Sequence, residues 1–223
     1  MKGFPMRNLN PDNTWTPAPT GLTVTLGRHQ DSDASANEPH FERGIYSSEA
    51  AAIMGLDPKR SMLDIWHEKQ GLLIQTQTPA GQHGQCSWDL IEPLVALVYS
   101  KRTGNPVKRV SKTLRSSEHP WMGAAIRWEV QSSEVRLLHC LQIASEDLSL
   151  WQGGVPEHVK VDIGHLQAVT GQQAVDLAVL AGGRSVQLYR VERDEVLIER
   201  LIEAEARFWG YVERGQAPNP NCS

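Results

Sequence analysis

Six cations, Lys101, Arg102, Lys108, Arg109, Lys112 and Arg115, follow one another with no acidic residue between the first and the last, and Trp121 and Trp128 come soon after. Such residues suit a polyanion: ammonium and guanidinium groups can follow a phosphate backbone, and indoles can stack on bases. The same pattern also suits the solvated outer face of a hairpin whose tryptophans fill a core. Residue type alone leaves both readings open. The cysteines Cys86, Cys140 and Cys222 share no short spacing, which excludes a compact zinc module or a disulfide framework. Cys140 follows His139, but neighbouring strand residues point to opposite faces, so Cys140 reads as a small apolar core residue rather than a nucleophile.

These residues need elements to position them. Residues 1–40 carry Pro5, Pro11, Pro17, Pro19 and Pro39 among polar residues, with only Leu22 to Leu26 alternating, and read as an extended or poorly ordered arm. The globular pattern starts near Phe41 and runs to about residue 215, and 216–223 read as a flexible tail. Ser47-Ser48 reads as a helix cap, Ser61 as a second, and Gln75 to Gly84 as a polar loop. Trp88 to Arg102 has helical spacing and ends at Thr103-Gly-Asn-Pro106. Strand-like runs at 107–114, 122–130 and 135–143 suggest an antiparallel meander. A helix follows from Pro156 to about Thr170, then a hairpin around Gly182-Gly183 and a last helix from Asp194. Helices, meander, helix, hairpin and helix make a mixed α/β or α+β domain.

A chain of 223 residues with 40% apolar and 22% charged residues can bury a real core. No run approaches the roughly 20 apolar residues that span a bilayer, and Met1 to Arg7 does not read as a signal peptide, so no membrane partner and a cytoplasmic location are expected. The net charge of −4 argues against a protein that coats nucleic acid through overall basicity.

Four blocks carry a family resemblance. The first is Arg43-Gly-Ile-Tyr-Ser-Ser-Glu-Ala-Ala-Ala-Ile-Met-Gly-Leu-Asp-Pro58 with Leu63-Asp-Ile-Trp-His-Glu-Lys-Gln-Gly71. The second is Trp88-Asp-Leu-Ile-Glu-Pro93 through Arg102-Thr-Gly104, and the third His119-Pro-Trp-Met-Gly-Ala-Ala-Ile-Arg127. The fourth joins His165 to Gly171, Ala178 to Gly183 and Val191 to Glu195. In order and spacing, over roughly 41–215, they resemble the YqaJ-like viral recombinases and the lambda-exonuclease type. The resemblance implies a restriction-endonuclease-like core, a central mixed β-sheet flanked by helices.

The resemblance also implies a site. In such nucleases a helix glutamate, a strand aspartate and a Glu-x-Lys on the next strand hold Mg²⁺ and activate water, work that needs hard oxygen ligands. The glutamate position is Glu92. The aspartate position falls at Arg127, and the Glu-x-Lys at His139-Cys-Leu141, or at Cys140-Leu-Gln142 in a register shifted by one. A family glutamine aligns with Asp162, which could serve as a replacement ligand, and Glu92, His139 and Asp162 together would favour Mn²⁺ or Zn²⁺. Against that, Arg127 reads as a cation that fills the emptied metal pocket and pairs with Glu92. Arg43, Ser47 and Ser48 resemble the family's end-phosphate pocket, or are a cap and a solvated arginine.

The leading expectation is thus a catalytically degenerate homologue of phage recombination exonucleases. It would bind DNA ends through Arg43, Ser47, Ser48, Lys108, Arg109 and Lys112, or act as a regulatory component in phage DNA recombination or phage-host conflict, with no cofactor. The alternatives are an active Mg²⁺- or Mn²⁺-dependent 5′-to-3′ exonuclease using Glu92 and Asp162, and a protein-interaction module or inhibitor without DNA binding. A phage recombination partner, a host protein and a homo-oligomer are compatible with the resemblance.

Overall fold

The structure is a computed structural model that describes residues 44–72, 79–132 and 136–218, with side chains described throughout except over 79–87. The chain divides into a unit of residues 1–40 and a unit of residues 41–223, and every described residue lies in the second. The expected N-terminal arm, Arg43 and the last residues of the tail fall outside the described residues.

Strands β1 (Ile45–Tyr46), β2 (Val107–Arg115), β3 (Met122–Val130), β4 (Arg136–Ile143), β5 (Ala174–Ala181) and β6 (Ser185–Glu192) form one mixed sheet. The β2, β3 and β4 meander is antiparallel, β4 and β5 run parallel, and β5 and β6 close an antiparallel hairpin. One face carries α3 (Pro79–Thr103), where Val95, Ala96 and Tyr99 pack on Trp128, Val130, Leu138 and Cys140. The other carries α4 (Glu157–Thr170), whose Val159, Ile163 and Leu166 meet Ala124, Ile126, Val175, Leu177 and Val179. Helices α1 (Ser47–Ile53), α2 (Met62–Lys69) and α5 (Glu195–Arg214) share a further cluster with Ile45, Ile53, Ile65, Trp66 and Phe208 at its centre. This is the expected architecture, a central mixed sheet with helices on both sides.

Local chemistry explains most boundaries. Ser61 caps α2 by accepting from Asp64 N at 3.2 Å, and the Asp64 carboxylate accepts from Ser61 N at 2.8 Å. Asp194 caps α5 through Leu197 N at 3.1 Å, and Gly171 ends α4 with a φ of 72°. Two expectations need correction. Ser47 and Ser48 do not cap α1: Tyr46 is the N-cap residue, and its N–H is taken by Glu49 Oε2 at 2.9 Å. The polar stretch 75–84 is not loop throughout, because α3 begins at Pro79, whose missing N–H costs nothing in a first turn. A 3₁₀ segment, Ser145–Trp151, also lies between β4 and α4, where no element was expected.

Strand β3 pairs with three others, β1, β2 and β4. Along one edge it meets β2 from Gly123 to Val130. Along the other, β1 takes Met122 and Gly123 and β4 takes Trp128 to Val130, so Ala124 to Arg127 have no ladder partner on that side. Gly123 is where β1 comes closest, since a Cβ there would stand 2.9 Å from Tyr46 Cε1. Gly123→Ala should therefore push the Tyr46 ring aside and cost about 1–3 kcal/mol, read as a lower midpoint in urea unfolding.

A buried pair ties the helical layer to this strand. His165 Nδ1 lies 2.7 Å from Glu205 Oε1 and its Nε2 lies 2.9 Å from the Gly123 carbonyl, with both side chains fully buried. A carbonyl only accepts, so Nε2 carries a proton. Burial alone would lower the imidazole pKa, but the Glu205 charge and hydrogen bond, with the Gly123 carbonyl, outweigh it and hold the value above the usual one.

Candidate functional site

The gap in the β3 ladder lies beside α3, whose Asp89 and Glu92 reach Arg127. Asp89 and Glu92, three residues apart, share a face of that helix. Between Glu92 and Leu94 stands Pro93, which cannot donate to the Asp89 carbonyl as a helical residue would. Glu92 is 2% exposed. Arg127, at the end of the unpaired stretch, places Nη2 2.9 Å from Glu92 Oε2 and 2.6 Å from Asp89 Oδ1. Burial raises the Glu92 pKa, and the Arg127 charge, the Trp128 indole and the Arg109 charge oppose the rise. One nitrogen thus bridges a buried carboxylate and an exposed one.

On β4, His139 is partly buried. Burial, reinforced by the Arg127 charge, lowers its pKa to about 4, so it is a neutral imidazole at physiological pH. Strand alternation puts His139 and Leu141 on one side and Cys140 and Gln142 on the other; Leu141 packs toward the α4 core, Cys140 under α3. Burial, with the Glu92 charge, pushes the Cys140 thiol up, which keeps it protonated and poorly nucleophilic.

Asp162 is engaged elsewhere. Its Oδ1 accepts from Ala51 N at 3.2 Å, and it lines a cavity of about 230 Å³ with Asp57, Leu141, Trp151 and His158. Burial and the nearby Asp57 charge push it up to about 7. Among the described residues no group of three or more His, Cys, Asp or Glu side chains is placed to hold a metal ion. The donor set does not fit a divalent cation of the kind that the resemblance implies: the Arg127 guanidinium stands in ion-pair contact with Glu92 at 2.9 Å, although Glu92 Oε2 has no hydrogen-bond partner among the described residues, Asp162 has its own backbone donor, and Leu141 offers no ligand.

The expected binding residues are spread over two places. Ser47 is half-buried and Ser48 exposed in the first turn of α1, whose seven residues make it short. Lys108 and Arg109 are exposed on β2, with the Arg109 guanidinium 6.0 Å from the Trp128 ring centre. Lys112 is paired with Glu129 at 2.6 Å, Arg115 donates to the Pro120 carbonyl at 2.7 Å and Arg102 to the Val186 carbonyl. The tryptophans offer no stacking platform: Trp128 is buried under α3, and Trp121 packs toward the helical cluster. Alternation had made the core reading available, and the structure takes it.

Four side chains were not foreseen. Asp89 was legible from its spacing to Glu92. The pair His165 and Glu205, 40 residues apart, left no local signal. The same holds for Asp176, buried under α3, where it accepts from the Tyr99 hydroxyl at 2.5 Å and from Arg136 Nε at 3.2 Å.

Comparison with known proteins bears on the family and the fold. Residues 40–173 match the model of the YqaJ-like viral recombinase domain. A Bacillus subtilis (strain 168) protein described as uncharacterized protein YqaJ is 30% identical over 197 residues, which cover 85% of this chain and 60% of that protein. The chain thus spans well under two thirds of that relative's length. Among solved structures, the alkaline exonuclease LHK-Exo from Laribacter hongkongensis is similar at 19% identity, over 77% of this chain and 89% of that one. Its TM-score is 0.58 in complex with dAMP and 0.56 in a second structure, a likeness of fold. No helix among the described residues is long and apolar enough to cross a membrane. By the family match over residues 40–173, the chain belongs to the YqaJ-like viral recombinase family.

Proposed function

We propose that this chain is a catalytically silent member of its family that holds DNA ends, or serves as a regulatory component, in phage DNA recombination or phage-host conflict. The observation that carries the reading is the Arg127 guanidinium 2.9 Å from the Glu92 carboxylate. Phosphodiester hydrolysis of the family type needs a cation held by hard oxygens to activate water and to neutralise the charge that develops. A resident cation at position 127 repels such an ion and stands in ion-pair contact with the oxygen that would bind it. DNA affinity is supported by the exposed cations Lys108 and Arg109 on β2, by the open end of α1 with Ser47 and Ser48, and by Arg43 through its place in the family motif.

The test is incubation of 5′-phosphorylated linear duplex DNA with the protein in Mg²⁺ and then in Mn²⁺, beside Glu92→Ala, with a binding titration on the same DNA. The expected result is salt-dependent binding and intact DNA. Degradation that disappears in Glu92→Ala would make this an active nuclease, and absence of binding would favour a protein-interaction role.

A further inference from the structure

Arg127 is not fully used by its two carboxylates. Both ion pairs run through Nη2, and Nη1 and Nε have no hydrogen-bond partner among the described residues. The side chain is 38% exposed beside the unpaired stretch of β3. Arg109 and Lys108 stand on the adjacent strand, opposite Trp128 and Glu129 in register. A guanidinium held firmly on one side, with a donor edge free on the other and cations alongside, suits a phosphate oxygen.

We infer that the free Nη1 and Nε edge of Arg127 binds a backbone phosphate of DNA directly, so that DNA is engaged here without any divalent cation. The inference rests on the DNA-holding reading above and adds the group and the chemistry. Asp89 and Glu92 orient the guanidinium while they weaken its net pull, so the contact is a directed hydrogen bond more than a point attraction. Removing one of those negative charges should strengthen it.

The test is fluorescence polarisation with 5′-phosphorylated linear duplex DNA and the full chain, in EDTA and in Mg²⁺, over a salt series. The wild type should bind in EDTA at least as tightly as in Mg²⁺, which competes for the phosphates. The double variant Arg127→Gln with Glu92→Gln, which leaves no charge buried alone, should lose at least about tenfold in affinity and lower the salt slope by about 0.9. Glu92→Gln by itself should bind a few-fold more tightly, a change that a purely structural role for Arg127 does not produce. Wild-type-like binding by the double variant, or loss of wild-type binding in EDTA, would overturn the inference while leaving DNA binding in place. Absence of binding by the wild type in either buffer would sink the inference and the proposed function together.

Discussion

His165→Leu should lower the free energy of unfolding by about 3–5 kcal/mol, because it strands a fully buried carboxylate at Glu205. The double change with Glu205→Leu should recover most of that loss, since an apolar pair of similar volume needs no compensating charge. Chemical unfolding of the two variants separates the pair's net worth from the penalty of breaking it. The pH dependence of the wild type has a definite sign. The imidazole pKa is raised in the folded state, so its stabilising contribution is complete below the unfolded value of 6.5 and is lost as pH rises through the higher folded value. In His165→Leu this alkaline loss should vanish. A wild-type profile flat across the alkaline side would show that the imidazole is not held charged in the folded protein.

Arg127→Ala should cost about 2 kcal/mol, less than a fully buried pair because the guanidinium is partly solvated and screened. Glu92, still buried and now without that cation, rises further in pKa. A carboxyl with a raised folded pKa takes up a proton on folding, so the variant should be weakest at neutral and alkaline pH and recover as pH falls. Adding Glu92→Gln should remove both the penalty and its pH dependence. A stronger form of the experiment is Arg127→Asp, which sets a third carboxylate beside Asp89 and Glu92. Without metal it should be the least stable variant of the series, and Mn²⁺ should raise its melting temperature while leaving that of the wild type unchanged. An equal response of both proteins to Mn²⁺ would show that the wild-type site already takes the ion.

Much of the fold was legible because local chemistry and the tertiary structure agree. Ser61 with Asp64, Asp194, the αL position of Gly171 and the Gly182-Gly183 turn each mark a boundary that the sequence states directly. The 3₁₀ segment at 145–151 was not legible, because Leu148 and Leu150 are exposed and only Trp151 is buried, leaving no period to read. Nor was the start of α3, where glutamines and glycines hide a helix behind a loop-like composition. At the site, motif order located Glu92, Arg127, His139 and Asp162 along the chain, but sequence cannot aim a guanidinium. That Arg127 points at Glu92, while Asp162 spends its oxygen on Ala51, is settled by how α1, α3 and α4 dock on the sheet.

The position of β2 bears on how its cations should be probed. Among the described residues it pairs only with β3, and it carries a solvated run of side chains. Such an edge invites pairing with another chain, and charged residues along it discourage that. Lys108, Arg109 and Lys112 are charges of that kind, whatever else they bind. Replacing them with glutamine strips that protection, and the resulting aggregates would mimic a loss of DNA binding. Replacing Lys108 and Arg109 with glutamate reverses the charge toward phosphate yet leaves the edge guarded, so its effect on DNA can be read from a protein that stays dispersed.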